Sequence, residues 1–188
     1  MNGSELQAEL ERLHPESYGW ALGCCCRDTG EAESVLQTVY LRVLQGKARF
    51  DGRAKFKTWL FSVIRRTAAD RRRRFLLRRL GLAKYGIYQP ADKNVDRPDD
   101  VVYRSEVQIL LLGALAQLPE RQRQTLQLVF YHDLSLEEAA GVMNVSIGSA
   151  RTHYERGKKR LRQLMGESRI FDESGSGRKE AEGAIPRG

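Results

Sequence analysis

Apolar residues recur at three- and four-residue intervals along most of the chain, which is the spacing of amphipathic helices. The segments with this spacing are residues 5–26, 31–44, from 58 onward, 107–118, 119–130 and 134–162. Pro15 breaks or restarts the first of these helices, and Pro119 suits the first turn of another. The pattern therefore predicts an all-α protein.

A segment rich in glycine, proline and aspartate separates two helical parts. It contains two prolines and four aspartates, so we expect it to be extended and without a core of its own. The last 22 residues have mixed charge and few apolar groups, so we expect a disordered tail, either inert or partner-binding. The predicted organisation is two small helical domains at residues 5–79 and 104–166, a flexible linker at 80–103 and a tail at 167–188.

The helix pair within residues 134–162 has the sequence form of a helix-turn-helix. Ser135 is suited to cap its first helix, and Glu138, three residues later, completes a capping box. Small residues then allow a close helix crossing, and Asn144 to Ser146 break the first helix and cap the second.

The second helix of this pair has a core face and an outer face that carries hydroxyl and cationic groups. Such side chains read base edges and hold phosphates in the major groove of DNA. An ordinary amphipathic surface helix is the alternative, because its solvated face would also be charged. The outer residues singled out are Ser149, Arg151, Thr152, Arg156 and Lys159.

The net charge of +8 is concentrated in the two helical parts. Residues 1–80 carry 16 Lys and Arg against 9 Asp and Glu, and residues 104–166 carry 9 against 6. This distribution indicates two separate bodies that each contact a polyanion, most simply nucleic acid.

Aromatic and cationic residues alternate in the segment FDGRAKFKTWLF, residues 50–61. This composition suits single-stranded nucleic acid, because bases stack on rings while cations follow the phosphates. Eight arginines follow between Arg65 and Arg79, with only Asp70 opposing them. Alternatively, this run is a solvated basic helix end and Trp59 is a core residue.

Other chemistry is not indicated by the sequence. Cys24, Cys25 and Cys26 are consecutive, which does not suit a zinc half-site or a disulfide framework, and they are expected to fill a helix face as small apolar residues. A thiol sensor is the alternative. No nucleophile–base pair, metal cluster or phosphate-binding glycine loop is apparent, so we expect a protein that is not an enzyme and has no cofactor or metal. No signal-peptide or membrane-spanning pattern is present, which predicts a cytoplasmic protein without membrane insertion.

The segments EAESVLQTVYLRVL, FDGRAKFKTWLFSVIRR and the later helix-turn-helix together resemble the small extracytoplasmic-function sigma factors of bacterial RNA polymerase. The resemblance covers about residues 5–78 and 104–166, in the order of sigma regions 2 and 4. It implies a factor that binds core polymerase, melts the minus-ten promoter element and reads the minus-thirty-five element.

The resemblance also implies roles for individual residues. In region 2, the minus-ten contacts would be Phe50, Asp51, Arg53, Lys55, Phe56, Lys57, Trp59, Arg65 and Arg66. The upstream DNA phosphates would meet Arg71, Arg72, Arg73 and Arg74. In region 4, the minus-thirty-five element would be read by Ser149, Arg151, Thr152, Arg156 and Lys159. Arg66 stands where Asn is common, and His153 and Glu155 also depart from the family pattern.

Core polymerase would bind the helix over residues 31–44, through the clamp coiled coil of the largest subunit, and the flap is a second implied contact. The implied residues are Glu31, Glu33, Ser34, Gln37, Thr38 and Arg42. Ser34 and Thr38 stand where acids are common, and we hypothesise that their phosphorylation restores negative charge. Equal core binding by phosphomimetic and unmodified proteins would rule this out.

Further partners implied by the resemblance are promoter DNA and an anti-sigma factor or other regulator, with the protein on the nucleoid when bound to polymerase. The acidic linker would thread polymerase channels as a nucleic-acid mimic or serve as a plain spacer. The alternative function is a helix-turn-helix transcription regulator that binds duplex DNA without being a polymerase subunit.

Overall fold

The computed structural model describes residues 3–84 and 106–166, and within these ranges it contains eight α-helices and no strand. The helices are α1 (Gly3–Arg12), α2 (His14–Cys24), α3 (Thr29–Leu44), α4 (Phe56–Lys84), α5 (Glu106–Ala116), α6 (Glu120–Phe130), α7 (Leu136–Met143) and α8 (Ile147–Gly166). The predicted all-α class is confirmed. We refer to α1–α4 as the first half and to α5–α8 as the second half.

Local signals in the sequence explain where α2 begins and where α3 begins and ends. Pro15 lies in the first turn of α2, where its missing N–H costs no hydrogen bond. The Asp28 carboxylate accepts a hydrogen bond from the backbone N–H of Glu31 at 2.8 Å and so caps α3. Gly46, just beyond α3, has a φ of +68° that suits glycine.

Helix α4 is longer than the sequence analysis expected at both ends. It begins at Phe56 rather than at Thr58, and it continues to Lys84, so the first residues assigned to the linker are helical. The arginines and leucines before Gly81 are good helix formers, and one glycine within a helix costs only about 1 kcal/mol. The remainder of the predicted linker, residues 85–103, and the predicted tail lie outside the described residues, as do residues 104 and 105 at the start of the predicted second domain.

The helix-turn-helix forms as its capping residues predict. The Ser135 hydroxyl accepts from the Glu138 N–H at 3.1 Å, and the Glu138 carboxylate accepts from the Ser135 N–H at 2.9 Å. Asn144 ends α7 in the left-handed conformation, with a φ of +53°. Gly157 of α8 approaches α6 so closely that a Cβ atom there would lie 3.2 Å from the Leu126 side chain.

One hydrophobic core includes helices of both halves. The second half contributes Leu128, Leu134, Ala139, Val142 and Met143 to this core, beside the buried residues of α1–α4. A smaller cluster within the second half contains Ala114, Leu118, Leu126 and Leu164. The two halves correspond to the two predicted helical domains, and they pack against each other in this structure.

Large apolar side chains at the ends of two helices are exposed to solvent. Phe130 at the end of α6 is 63% exposed, and its ring stacks on that of Tyr154 at 5.7 Å on the protein surface. Leu44 at the end of α3 is 55% exposed. Both lie at the last residue of a helix, where the neighbouring helices no longer cover the side chain.

We predict that Gly157→Leu destabilises the second half by about 1–3 kcal/mol, because the added side chain overpacks the contact between α6 and α8. The measurement is the free energy of unfolding in urea. Gly113→Leu is the matched control, since a Cβ at Gly113 of α5 meets no atom within 4 Å. Equal stability of the two variants would contradict the close approach.

Candidate nucleic-acid interface

Three aromatic rings form a cluster where α4 begins. The ring centroids of Phe50, Phe56 and Trp59 lie 5.3–5.4 Å apart in all three pairs. Each of these residues is half-buried, and Phe56 and Trp59 also pack on the main core. Trp59 is thus only partly buried in the core, and part of the cluster is exposed to solvent.

The loop before α4 holds charged residues beside the aromatic cluster. The Asp51 carboxylate accepts from the Arg53 N–H at 3.2 Å and pairs with the Arg53 guanidinium at 3.4 Å. Gly52 between them has a φ of +75°, a conformation that glycine adopts at little cost. Both charged side chains are exposed. The loop between Phe50 and Phe56 therefore presents an exposed cation, paired with Asp51, close in sequence to rings on which a base could stack.

Lys55 and Lys57 contact the second half. The Lys55 ammonium pairs with the Glu138 carboxylate at 2.9 Å. The Lys57 ammonium pairs with Glu16 and donates a hydrogen bond to the His132 carbonyl at 2.9 Å. Two cations predicted to contact nucleic acid are therefore already bound to protein acceptors.

The arginines of α4 that were assigned to DNA differ in whether they contact protein acceptors. Arg66, Arg73 and Arg74 are exposed. In contrast, Arg65 donates to the Gln124 side chain at 2.9 Å, and burial lowers the pKa of its guanidinium. The other two engaged arginines form ion pairs: Arg71 with Glu31 at 3.1 Å, and Arg72 with Glu120 at 2.8 Å.

The outer face of α8 is open to solvent. Arg151, Arg156 and Lys159 are exposed along it. Ser149 and Thr152 are exposed too, but their hydroxyls lie within hydrogen-bond distance of neighbouring groups, at 2.9 Å from the Ser146 hydroxyl and the Gly148 carbonyl respectively. The structure therefore leaves all five predicted residues of this helix exposed to solvent.

Helix α3 carries a second exposed surface. Of the residues expected to contact core polymerase, Glu31, Glu33 and Gln37 are exposed, whereas Ser34, Thr38 and Arg42 are half-buried. The Thr38 hydroxyl donates to the Ser34 carbonyl at 2.8 Å within the helix. Leu41, which the sequence analysis did not single out, is 56% exposed on this helix.

The consecutive cysteines occupy three different environments. Cys24 is buried in the core, and burial raises its pKa strongly. Cys25 is half-buried, and its pKa is raised to about 11 by burial and by nearby Glu31. Cys26 is exposed beyond the end of α2, with a φ of +55°. The expectation that they fill a helix face is met by Cys24, while Cys26 was wrongly assigned.

His132 was missed by the sequence analysis and lies at the centre of the contact between the halves. It is 1% exposed, and its ring meets Trp20 at 5.8 Å, Phe61 at 4.8 Å and Tyr131 at 4.8 Å, all edge-on. Neither ring nitrogen has a hydrogen-bond partner within the described part of the chain. Burial, reinforced by the Lys57 ammonium, lowers the pKa of His132 to about 4. No spacing signal in the sequence distinguishes this histidine from a surface one.

Both halves of the chain match models of known protein families. Residues 10–76 match the family model for Sigma-70 region 2, and residues 108–161 match that for Sigma-70, region 4. The chain is 31% identical to the ECF RNA polymerase sigma factor SigX of Bacillus subtilis (strain 168), over 95% of this chain and 94% of SigX. It is 27% identical to SigW, an ECF RNA polymerase sigma factor of the same strain, over 72% of this chain and 75% of SigW.

Solved structures share the fold. The sigma factor RpoE, in complex with the anti-sigma factor NepR from Bartonella quintana, superposes with a TM-score of 0.68 at 21% identity, over 88% of this chain and 99% of RpoE. CnrH, in complex with the cytosolic domain of CnrY, gives a TM-score of 0.59 at 20% identity, over 88% of this chain and 90% of CnrH. Among residues 3–84 and 106–166, no helix has the length and apolar content needed to cross a membrane.

We predict that His132 makes stability fall as the pH is lowered from about 6.5 to about 4. In that window the unfolded chain takes up a proton on His132 and the folded chain does not, so acid favours the unfolded state. The loss amounts to at most about 3.5 kcal/mol, at roughly 1.4 kcal/mol per pKa unit. The charged groups nearest the ring are Lys57, Glu16 and Asp133.

The measurement compares urea unfolding of wild type and His132→Phe at pH 7, 5.5 and 4.5. Phenylalanine keeps an aromatic ring among its aromatic neighbours but cannot titrate. The stability difference between pH 7 and pH 4.5 should be smaller in His132→Phe than in wild type. Identical pH dependence in the two proteins would refute the assignment.

Proposed function

The chain belongs to the sigma-70 family, in its extracytoplasmic-function group, and as such acts in transcription initiation; from its surfaces we propose how it selects and opens promoters. The first half captures bases of the minus-ten element on the ring cluster of Phe50, Phe56 and Trp59. The second half reads the minus-thirty-five element through the outer face of α8. Members of this family are non-catalytic polymerase subunits, so we assign no reaction to the chain.

The observation that supports this proposal is the presence of two exposed surfaces of different chemistry in one chain. A partly exposed aromatic cluster flanked by cations suits separated strands, since bases stack on rings whatever their sequence. A capped helix-turn-helix with exposed Arg151 and Arg156 suits duplex DNA, where arginine pairs with guanine. A promoter opened near its start and double-stranded upstream presents both substrates.

Minus-ten capture would draw on the loop and on the exposed face of α4. Arg53 is exposed in the loop between Phe50 and Phe56, and Arg66 is exposed further along α4. Arg73 and Arg74 are exposed toward the other end of α4, where they would meet phosphates of the duplex upstream. Binding of flipped bases to the cluster would offset part of the cost of unpairing them.

Core polymerase is proposed to bind α3, whose exposed residues Glu33, Gln37 and Leu41 combine charge with an apolar contact. Because the sigma factor RpoE, which shares the fold, is in a complex with the anti-sigma factor NepR, we also propose an anti-sigma regulator for this chain. The chain itself would act in the cytoplasm, where polymerase and the genome are found.

The test is in vitro transcription with purified core polymerase on a fragment library of the source genome, with and without the chain. Start sites that require both components, with shared elements near positions minus ten and minus thirty-five, would support the proposal. If the chain does not bind core polymerase but binds duplex DNA tightly, it would instead be a helix-turn-helix regulator.

We predict that Arg151→Ala combined with Arg156→Ala lowers transcription from the mapped promoters at least tenfold, because each arginine–guanine pair is worth about 1–3 kcal/mol. Run-off transcript yield is the readout. Arg12→Ala is the control, since Arg12 pairs with Glu9 on α1, away from the proposed DNA surfaces. Full activity of the double variant would show that α8 does not read the promoter.

We predict that Phe50→Ala lowers transcription about tenfold on duplex promoters, because one stacking surface worth about 1–3 kcal/mol per base is lost. On a template whose minus-ten element is already unpaired, the loss should be smaller, since capture no longer has to offset unpairing. Arg151→Ala/Arg156→Ala should show no such rescue. Equal losses on both templates would exclude a role for Phe50 in melting.

A further inference from the structure

A groove lies between the end of α2, the start of α3 and the C-terminal part of α4. Its volume is about 460 Å³, which falls within the range of roughly 300–1,000 Å³ found for small-molecule sites. All three consecutive cysteines line the groove, together with four arginines: Arg71, Arg72, Arg74 and Arg78. The groove is therefore large enough for a small molecule and combines thiols with positive charge.

The three thiols of this groove differ in their access to solvent. Cys24 is buried and Cys25 is half-buried, and burial raises the pKa of both thiols, to about 11 at Cys25. Both thiols are therefore protonated at neutral pH, and a protonated thiol is a poor nucleophile. Cys26 lines the same groove and is exposed. A thiol reaction in the groove is therefore assigned to Cys26.

The backbone holds Cys26 in a defined turn. The N–H of Arg27 donates to the Leu22 carbonyl at 2.8 Å, and the N–H of Asp28 donates to the Cys25 carbonyl at 3.1 Å. Cys26 and Arg27 have φ values of +55° and +67°, a conformation that is uncommon for residues other than glycine. The position of the exposed thiol is therefore set by the backbone of this turn.

The groove carries more unpaired positive charge than negative charge. Its two carboxylates are engaged, Glu31 with Arg71 at 3.1 Å and Asp28 with the backbone N–H of Glu31 at 2.8 Å. Arg74 and Arg78 are exposed and pair with no carboxylate within residues 3–84 and 106–166. The end of α2 and the start of α3 border the groove with opposite partial charges, which offset each other. An anion that enters the groove therefore meets two unpaired guanidinium groups.

We propose that this groove is a thiol-modification site, at which Cys26 forms a mixed disulfide with a low-molecular-weight disulfide that carries carboxylates. The Cys26 thiol loses its proton to water, and its thiolate attacks one sulfur of the small disulfide. A new S–S bond forms as the old one breaks, and the departing thiolate takes a proton from water. The carboxylates of the attached half pair with Arg74 and Arg78. Attack by a free small thiol on the mixed disulfide reverses the step.

The modification acts on a DNA surface of α4. Arg74 lines the groove and is also one of the residues proposed to meet phosphates of the upstream duplex. A carboxylate held beside Arg74 takes the place of a phosphate, so the attached half weakens DNA binding. An excess of small disulfide over free thiol therefore lowers promoter binding. This consequence rests on the proposed function, whereas the modification of Cys26 does not.

Rates of modification of the full-length chain test the site. The probes are three small disulfides: oxidised glutathione, which is anionic, hydroxyethyl disulfide, which is neutral, and cystamine, which is cationic. Mass spectrometry follows each reaction at neutral pH and low salt, and each rate is divided by that of N-acetylcysteine amide with the same disulfide. The relative rate should be about tenfold higher for oxidised glutathione than for cystamine, as expected for two cations a few ångströms from the reacting thiol in a solvated groove.

A pair of charge variants tests the role of the unpaired arginines. Arg74→Gln with Arg78→Gln should abolish the preference for the anionic disulfide, because the groove loses its two free cations. Arg160→Gln with Arg162→Gln is the matched control, since it removes the same charge from exposed positions on α8 that do not line the groove. The control should keep the wild-type preference, and circular dichroism verifies that both variants are folded.

Two serine variants locate the reacting thiol. Cys26→Ser should stay unmodified by oxidised glutathione, whereas Cys25→Ser should react at the wild-type rate. Peptide fragmentation of the modified wild-type chain gives the same assignment without a substitution, so the result does not depend on the folding of either variant.

Duplex binding tests the consequence for DNA. The probe is a fluorescent mixed-sequence duplex DNA 20-mer, measured by anisotropy with the glutathione-modified and the reduced chain. The modified chain should bind about threefold more weakly, with a log–log salt slope smaller by about 1–2, at about 0.9 for each cation withdrawn. Dithiothreitol should restore both values. Cys26→Ser carried through the same treatment is the control and should show no change.

Equal relative rates for the three disulfides would overturn the site, as would modification of Cys25 in place of Cys26. Unchanged duplex binding by the fully modified chain would overturn the coupling of the site to DNA. If the wild-type chain directs no transcription, the proposed function fails, while the rates still decide whether the groove is a modification site.

Discussion

The stacked pair of Trp20 and Phe61 joins α2 to α4, and the rest of the structure is arranged around it. Their ring centroids are 5.8 Å apart and nearly parallel, and both side chains are fully buried. The indole N–H of Trp20 donates to the Phe61 carbonyl at 3.0 Å, so the one polar atom of the pair is satisfied inside the core. Because Phe61 also meets His132, the same pair carries the contact with the second half.

The electrostatics of the chain follow from this packing. A protein that binds DNA carries cations that repel one another when DNA is absent, and burial near them makes that repulsion stronger. Here the cations closest to the core have protein acceptors, as Arg65 has Gln124. Those further out, such as Arg73 and Arg156, face solvent, where water screens them. Along α4, the half-buried Arg65 thus has a neutral protein acceptor, whereas arginines further out either pair with carboxylates, as Arg72 does, or face solvent.

Local features of the fold could be predicted from the sequence, whereas the contact between the halves could not. The capping box at Ser135 and the restart at Pro15 depend on residues within one turn of each other, and the sequence displays these directly. The burial of Gln124 and His132 depends on α2 and α4, which are distant in the chain, and polar residues on a short helix otherwise suggest a solvated face. The exposed residues of the candidate surfaces were identifiable from charge and aromatic content, but their partners were not.

The continuous helix α4 fixes the phase between its two ends. Its 29 residues rise about 44 Å without a break, so the ring cluster at Phe56 and the cations at Arg73 and Arg74 keep one angular relation. A single inserted residue between them would turn the far cations by about 100° around the helix axis, whereas seven would nearly restore their direction. Side chains along α4 can therefore change during evolution more freely than the length of the helix. One rigid helix sets both the distance and the direction between the ring cluster and the far cations.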